Sequence, residues 1–198
     1  MPPCIRLAAH GDAAAIAEIY TPIVRQTAIS FEMTPPDAAE FVQRMNAVNS
    51  FGLWIVAEQR NDLLGYAYAG QFRTRHAYNW TTEFAVYVHA DQRRRGVARG
   101  LYTALIAATR LQGFRLAVAG ITLPNPDSVA AHEAVGFRSV GVFPACGLKF
   151  GRWHDVGFWH LELAPAAGDR PPTRRVAELA GSADLEAALA SGGRLIRV

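Results

Sequence analysis

Apolar residues recur along the chain with two different periods. Ile5-Arg6-Leu7-Ala8-Ala9 alternates as a short strand does, and Ile16, Ile19, Tyr20 and Val24 then repeat at helical spacing, with Asp12 offering an N-cap. Pro35-Pro36 stops whatever precedes it, and Phe41, Met45 and Val48 predict a second helix over Asp37 to Val48. Leu53 to Glu58 and Leu64 to Ala69, separated by Arg60-Asn61-Asp62, predict a hairpin, and the β-branched and aromatic run from Thr81 to His89 a central strand. From Val97 the pattern Leu101, Leu105, Ile106, Leu111 is helical and closes at Gly113, after which Leu116 to Thr122 returns as a buried strand. Asn125-Pro126 opens a helix that ends at Gly136, and Phe137 to Phe143 and Val156 to Leu163 supply the last strands. The order of elements predicts an α+β (α/β) fold in which helices flank a sheet.

After Leu163 the composition changes to Ala-Pro-Gly-Arg with one weak helical stretch at Leu185 to Leu189, so residues 1–164 are expected to form the domain and 165–198 an extension. That tail has room to clasp a partner subunit or the domain's own surface. With 51% hydrophobic and 19% charged residues in 198, the chain is long enough for one core and is neither disordered nor membranous in composition. No apolar run approaches the ~20 residues of a membrane span, and Met1 to Arg6 lacks the layout of a signal peptide, so a cytoplasmic location is expected. The two cysteines, Cys4 and Cys146, are too few for a disulfide framework and too isolated for zinc; they read as buried thiols, and no metal is expected.

Charge changes the picture at one place. In Val86-Tyr87-Val88-His89-Ala90-Asp91-Gln92-Arg93-Arg94-Arg95-Gly96-Val97-Ala98 a strand feeds a basic, glycine-containing turn that opens a helix. The first N–H groups of a helix lack partners and point outward with the positive end of the dipole, so a diphosphate can accept several hydrogen bonds there. Gly96 allows close approach and Ala98 leaves the first turn unobstructed. A solvated basic loop or a nucleic-acid contact also fits the arginines alone. There is no Gly-Lys-Ser/Thr and no dinucleotide double-glycine fingerprint.

Arg93-x-x-Gly96-x-Ala98 resembles the pyrophosphate loop of the GNAT superfamily, and Asn125-Pro126-Asp127-Ser128 followed by His132-Glu133-Ala134-Val135-Gly136-Phe137 is similar to its second signature. Asn125 with Pro126 also makes sense as an ordinary N-cap. The resemblance implies acetyl-CoA as co-substrate and a twisted, mixed, mostly antiparallel sheet. It also implies a coenzyme-binding set of Ala85, Val86, Tyr87 and Val88 on the strand, Arg93, Arg94, Arg95, Gly96, Val97 and Ala98 in the loop, and Asn125 and Ser128 beyond it.

Acyl transfer to an amine requires a proton acceptor, an oxyanion site and a donor for the leaving thiolate. Glu83, on the central strand before the loop, is the candidate base, acting through one or two waters; a glutamate on an exposed strand face is the competing reading. His132 stands where many GNAT enzymes carry a tyrosine, and imidazole serves there as general acid or second base; a helix-surface histidine packed by Glu133 is the alternative. A main-chain N–H around Val86 to Val88 would hold the oxyanion. Neither cysteine sits in a nucleophile context, so direct transfer in a ternary complex is expected.

The similarity narrows further, to the phosphinothricin N-acetyltransferase family. It is carried by Tyr20 to Val24 with Ser30-Phe31-Glu32, Gly65 to Ala69, Arg73, Arg75, Tyr78, Trp80 to Glu83, Ile121 to Asn125, and Lys149 to Trp159, and covers about Ile5 to Leu163. The resemblance implies acetylation of phosphinothricin and methionine sulfoximine or sulfone, hence herbicide resistance. It implies Glu83 and His132 as the catalytic pair and Phe31, Arg73, Arg75, Tyr78, Trp153 and His154 at the substrate, guanidinium forks suiting an oxyanion. A homodimer with no nucleic-acid or membrane partner is implied as well. Ala85 and Thr82 depart from the family's small hydroxyl residue and valine. Other amines (amino acids, polyamines, a protein N-terminus) and a non-catalytic CoA- or nucleic-acid-binding module remain the alternatives, with Arg73 and Arg75 opposing a polyamine.

Overall fold

A computed structural model of the chain describes residues 2–197. Seven strands form one sheet in the order β1-β2-β3-β4-β5-β7-β6: β1 (Cys4–Leu7), β2 (Leu53–Gln59), β3 (Asp62–Gln71), β4 (Thr81–Val88), β5 (Leu116–Leu123), β6 (Arg138–Lys149) and β7 (Arg152–Glu162). Neighbours run antiparallel except β4 and β5, which pair in parallel. The β2–β3 hairpin turns at Arg60 and Asn61, both at positive φ, as a two-residue turn matched to the strand twist requires.

Period-two alternation divides the sheet into two faces. Trp54, Val56 and Tyr66 pack under α1 (Ala13–Gln26) and α2 (Ala38–Asn49), against Ile16, Ile19, Tyr20, Phe41 and Met45. Ile55, Ala67, Phe84, Ala117 and Trp159 face the other way, toward α3 (Val97–Gln112), whose stripe of Leu101, Ala104, Leu105 and Ala108 is fully buried, and toward α4 (Pro126–Glu133). The tail adds α5 (Val176–Leu179) and α6 (Ala183–Gly193), and its Leu179, Leu185, Leu189 and Ile196 belong to the same apolar cluster as α3. No helix among the described residues is long and apolar enough to cross a membrane.

The sequence reading fails at three places. Asp12 does not cap α1: its carboxylate accepts from the Ala9 amide at 2.8 Å and binds both Arg6 guanidinium nitrogens at 2.8 Å, a stronger set of charge-assisted bonds than a cap offers. Cys4 and Cys146 are exposed rather than buried, because each lies on a strand at a sheet edge, β1 and β6. The last two strands run further than their apolar cores, meeting at Phe150-Gly151, both at positive φ. Within β6 the residues 144–146 have no register partner, and the Ala145 amide there donates to Asp155 at 2.7 Å.

Candidate active site

The sheet opens between β4 and β5. Their pairing is confined to Thr81↔Leu116, Thr82↔Ala117 and Glu83↔Val118, after which β5 continues against β7 alone and β4 against β3 alone. The His89 amide bonds the Leu64 carbonyl at 2.9 Å. Carried back along the register, antiparallel alternation turns the main-chain groups of Phe84, Val86 and Val88 away from β3, into the opening.

At the end of β4 the chain makes a short turn and enters α3 through Arg94 (φ 60°) and Gly96 (φ 80°), both left-handed. Arg93, Arg94, Gly96, Val97 and Ala98 form one wall of a cleft of about 950 Å³, whose other wall is α4 and the turn that follows it, from Asp127 to Val135. The small side chains of Ala130, Ala131 and Ala134 keep that wall low. Arg95 is turned aside, its guanidinium donating to Gln92 at 2.7 Å. The Asn125 side chain accepts from the Ser128 amide at 3.2 Å, so its capping role is realised, and it fixes the start of α4 beside the cleft.

Glu83 lies on the face of β4 opposite to that cleft, with Ala85 and Tyr87. It is half-buried, and burial raises its pKa while the nearby Arg73 guanidinium pulls it down. Its Oε1 points at β5, where a Cβ placed on Gly120 would stand 3.9 Å away, so Gly120 keeps the floor of this corner open. Val118, across from Glu83, lines a second cleft of about 630 Å³ with Arg73, Phe72, Phe143, Phe158 and His160. Arg73 also lies 5.0 Å over the Phe72 ring and 5.9 Å from the Tyr78 ring. Arg73, Tyr78 and Glu83 thus share one region; Arg75 only starts the adjoining turn, its carbonyl accepting from the Tyr78 amide.

His132 faces inward from α4, not outward. The imidazole is buried: Nδ1 is 2.7 Å from the Ser128 carbonyl oxygen, which forces it to be the N–H donor, and Nε2 then accepts from the Tyr102 hydroxyl at 2.7 Å. Burial lowers its pKa, so the neutral ring is favoured. Glu133, which the alternative helix-surface reading packs against His132, instead accepts from Trp159 Nε1 at 3.2 Å. His132 and Glu83 approach β4 from opposite faces and do not touch.

Phe31 and His154 come together, ring centroids 6.2 Å apart, whereas Trp153 is 64% exposed on the other side of β7. Two residues that place Phe31 are given no role by the sequence reading. A Cβ on Gly147 would fall 2.1 Å from the Phe31 ring, so only glycine fits beneath it. Buried Lys149 donates to the Val24 and Ser30 carbonyls at 2.7 and 2.6 Å, tying the loop after α1 to β6. Tyr102, beside the Leu101 and Leu105 stripe of α3, is the third residue missed.

Residues 5–157 match the family model described as an acetyltransferase (GNAT) domain. A phosphinothricin N-acetyltransferase of Streptomyces viridochromogenes is 38% identical over 84% of this chain and 91% of its own length. The L-methionine sulfoximine/L-methionine sulfone acetyltransferase of Pseudomonas paraeruginosa is 35% identical over 81% of this chain and 95% of its own. The crystal structure of a phosphinothricin acetyltransferase from Sinorhizobium meliloti in complex with acetyl-CoA superposes with a TM-score of 0.80 at 34% identity, covering 88% of this chain and 95% of that one.

Proposed function

The chain belongs to the GNAT acetyltransferase family and uses acetyl-CoA as co-substrate, and from that premise we propose that its acceptor is the α-amino group of a small amino acid with an oxyanionic or strongly polarised side-chain oxygen, such as phosphinothricin, methionine sulfoximine or methionine sulfone. The observation that carries this reading is the placing of Arg73 beside Glu83 at a largely apolar cleft. A cation there suits an anionic end group and repels a polyamine, and a half-buried carboxylate with a raised pKa suits removal of a proton from an ammonium. The relatives named for these substrates support the same choice.

Acetyl-CoA supplies an acetyl group activated as a thioester. The N–H groups of α3's first turn and the adjoining arginines grip its diphosphate, and the open edge of β4 at Val86 and Val88 holds the thioester carbonyl oxygen, stabilising the charge that grows there as the amine attacks. Glu83 takes the ammonium proton, directly or through water. The new C–N bond forms as the C–S bond breaks, and the departing sulfur takes up the second proton released by nitrogen. His132, neutral and bonded at both nitrogens, favours the role of a base that orients the Tyr102 hydroxyl over that of a proton donor. Phe31 and His154 close one side of the acceptor site.

The active form is a homodimer closed by the β6–β7 edge, where Val140, Phe143, Leu148, Phe150 and Trp153 stand exposed; an unpaired edge strand carrying that many apolar side chains requires a cover. Two exposed free thiols suit a reducing compartment and support a cytoplasmic setting. Activity on phosphinothricin would make the chain a herbicide-resistance factor. A thiol-release assay across phosphinothricin, methionine sulfone, ordinary amino acids and spermidine tests the reading. The first two are expected to turn over best, and Glu83→Gln to lose turnover while still binding CoA. Spermidine as the best acceptor, or full activity in Glu83→Gln, would refute it.

A further inference from the structure

The basic loop that grips the diphosphate is held from behind by the end of the chain. The tail crosses α3 from one end to the other, a distance of roughly 24 Å for 16 residues. At the C-terminal end the Arg174 amide donates to the Gln112 carbonyl at 2.8 Å, and Gln112 Nε2 returns a bond to the Arg174 carbonyl at 2.9 Å. Within the first turn of α3, α6 meets it backbone to backbone: a Cβ on Gly192 would lie 2.2 Å from the Gly100 carbonyl oxygen, and one on Gly100 2.7 Å from that of Gly192. At the N-terminal end the Arg197 amide donates to the Arg95 carbonyl at 2.8 Å, and the Leu195 carbonyl oxygen sits only 2.3 Å from where a Cβ on Gly96 would be. Ile196, buried between these contacts, anchors the segment in the α3 core.

We propose that residues 174–197 act as a strap that fixes the loop in its diphosphate-binding shape and so sets the affinity for CoA. This rests on the coenzyme reading of the α3 N-terminus. Arg94 holds a left-handed backbone that L-residues adopt only against steric resistance, and Gly96 one that depends on the space left beside Leu195. A loop free to leave that shape must be reordered each time the coenzyme binds, which weakens binding; a loop already clamped through Arg95 on its rear side presents its amides without that penalty. The region matched by the family model ends at residue 157, so the clamp is a property of the part of the chain outside it.

The test compares the full chain with truncation after Arg194, with Gly192→Leu, and with Arg197→Pro, which removes the amide donated to Arg95 together with the side-chain charge, each effect of that variant being read against Arg197→Ala, which loses the charge and keeps the amide. CoA affinity is measured by calorimetry, and steady-state kinetics are run with acetyl-CoA and with S-acetylpantetheine, a thioester lacking the diphosphate. Kd for CoA and KM for acetyl-CoA are expected to rise about tenfold in the first two variants, the size of one immobilised segment's ordering, and about threefold in Arg197→Pro. The amine KM and the rate with S-acetylpantetheine should stay level. Unchanged CoA affinity in the variants that fold, or an equal decline with both thioesters, overturns the strap. Should the first two fail to fold, Arg197→Pro decides alone, an unchanged Kd overturning the proposal. A full chain that binds no CoA at all refutes instead the coenzyme reading beneath it.

Discussion

Replacing Lys149 by methionine keeps the volume of the side chain and removes its charge, which isolates what the ammonium does. Its Nζ donates to the Val24 carbonyl, one of the last-turn carbonyls of α1 that have no helical partner, and to the Ser30 carbonyl in the loop that follows. A hydrogen bond from an ionised donor contributes about 1.5–3 kcal/mol, and a cation at a helix C-terminus adds about 0.3–1 kcal/mol. Against this stands the cost of burying the ammonium, several kcal/mol for an ion withdrawn from water. Once that cost is relieved in Lys149→Met but two buried carbonyls are left unpaired, the net loss is about 2–4 kcal/mol. In a chain of this size that lowers Tm by roughly 5–15 °C. The same loop carries Phe31, seated on Gly147 and against His154, so the acceptor's KM should rise about tenfold as that ring loosens, at the usual ~1.4 kcal/mol per factor of ten. The KM for acetyl-CoA should not move, since the coenzyme loop lies on the other face of the sheet. Differential scanning calorimetry and steady-state kinetics read both effects. A Tm within a degree of the parent, or a rise in the acetyl-CoA KM matching that of the acceptor, would show that Lys149 does not act through this loop.

Arg73→Ala should move the acid limb of kcat/KM against pH. Burial already raises the Glu83 pKa and Arg73 opposes it, so removing the guanidinium leaves the carboxyl protonated to a higher pH and shifts the limb upward; a limb that stays put or moves down would detach Arg73 from Glu83. The sign for stability follows from the same shift: a carboxyl whose folded pKa lies above its unfolded value is a burden that appears as pH rises through that interval, so Glu83→Gln should be the more stable form at neutral pH. Phe143→Lys places a charge in the exposed apolar edge formed by β6. Sedimentation equilibrium should find a dimer for the parent and a monomer for the variant, and a parent that sediments as a monomer would remove the interface.

What was legible in the sequence is what is encoded locally. The passage from β4 through Arg93 to Ala98 into α3 is a run of adjacent residues, and the strand, turn and helix it predicts are found, the structure adding that Gly96 is left-handed before the helix. The same holds for Asn125, whose cap spans three residues. Asp12 shows how such local reasoning goes astray. An aspartate before an apolar stripe is the ordinary cap signal, but a strand six residues earlier brings Arg6 alongside, and the charged pair takes the carboxylate away from the helix. The missed residues lie at the far end of the same scale. Lys149 reaches a carbonyl 125 positions away, and the Tyr102 hydroxyl meets an imidazole 30 positions on.

Tyr102 makes the reason physical. On a helix stripe with Leu101 and Leu105 a tyrosine reads as one more apolar filler, and its ring is indeed buried among them. A buried hydroxyl must still find an acceptor, and the site that provides one depends on which nitrogen of His132 is free. That in turn is settled by the Ser128 carbonyl one turn back on α4, which claims Nδ1 and leaves Nε2 open toward α3. The sequence names His132 as chemically competent but says nothing of its tautomer. The packing of α4 on α3 fixes it, and with both nitrogens engaged the ring holds the Tyr102 hydroxyl as an acceptor at Nε2 while its Nδ1–H is spent on Ser128.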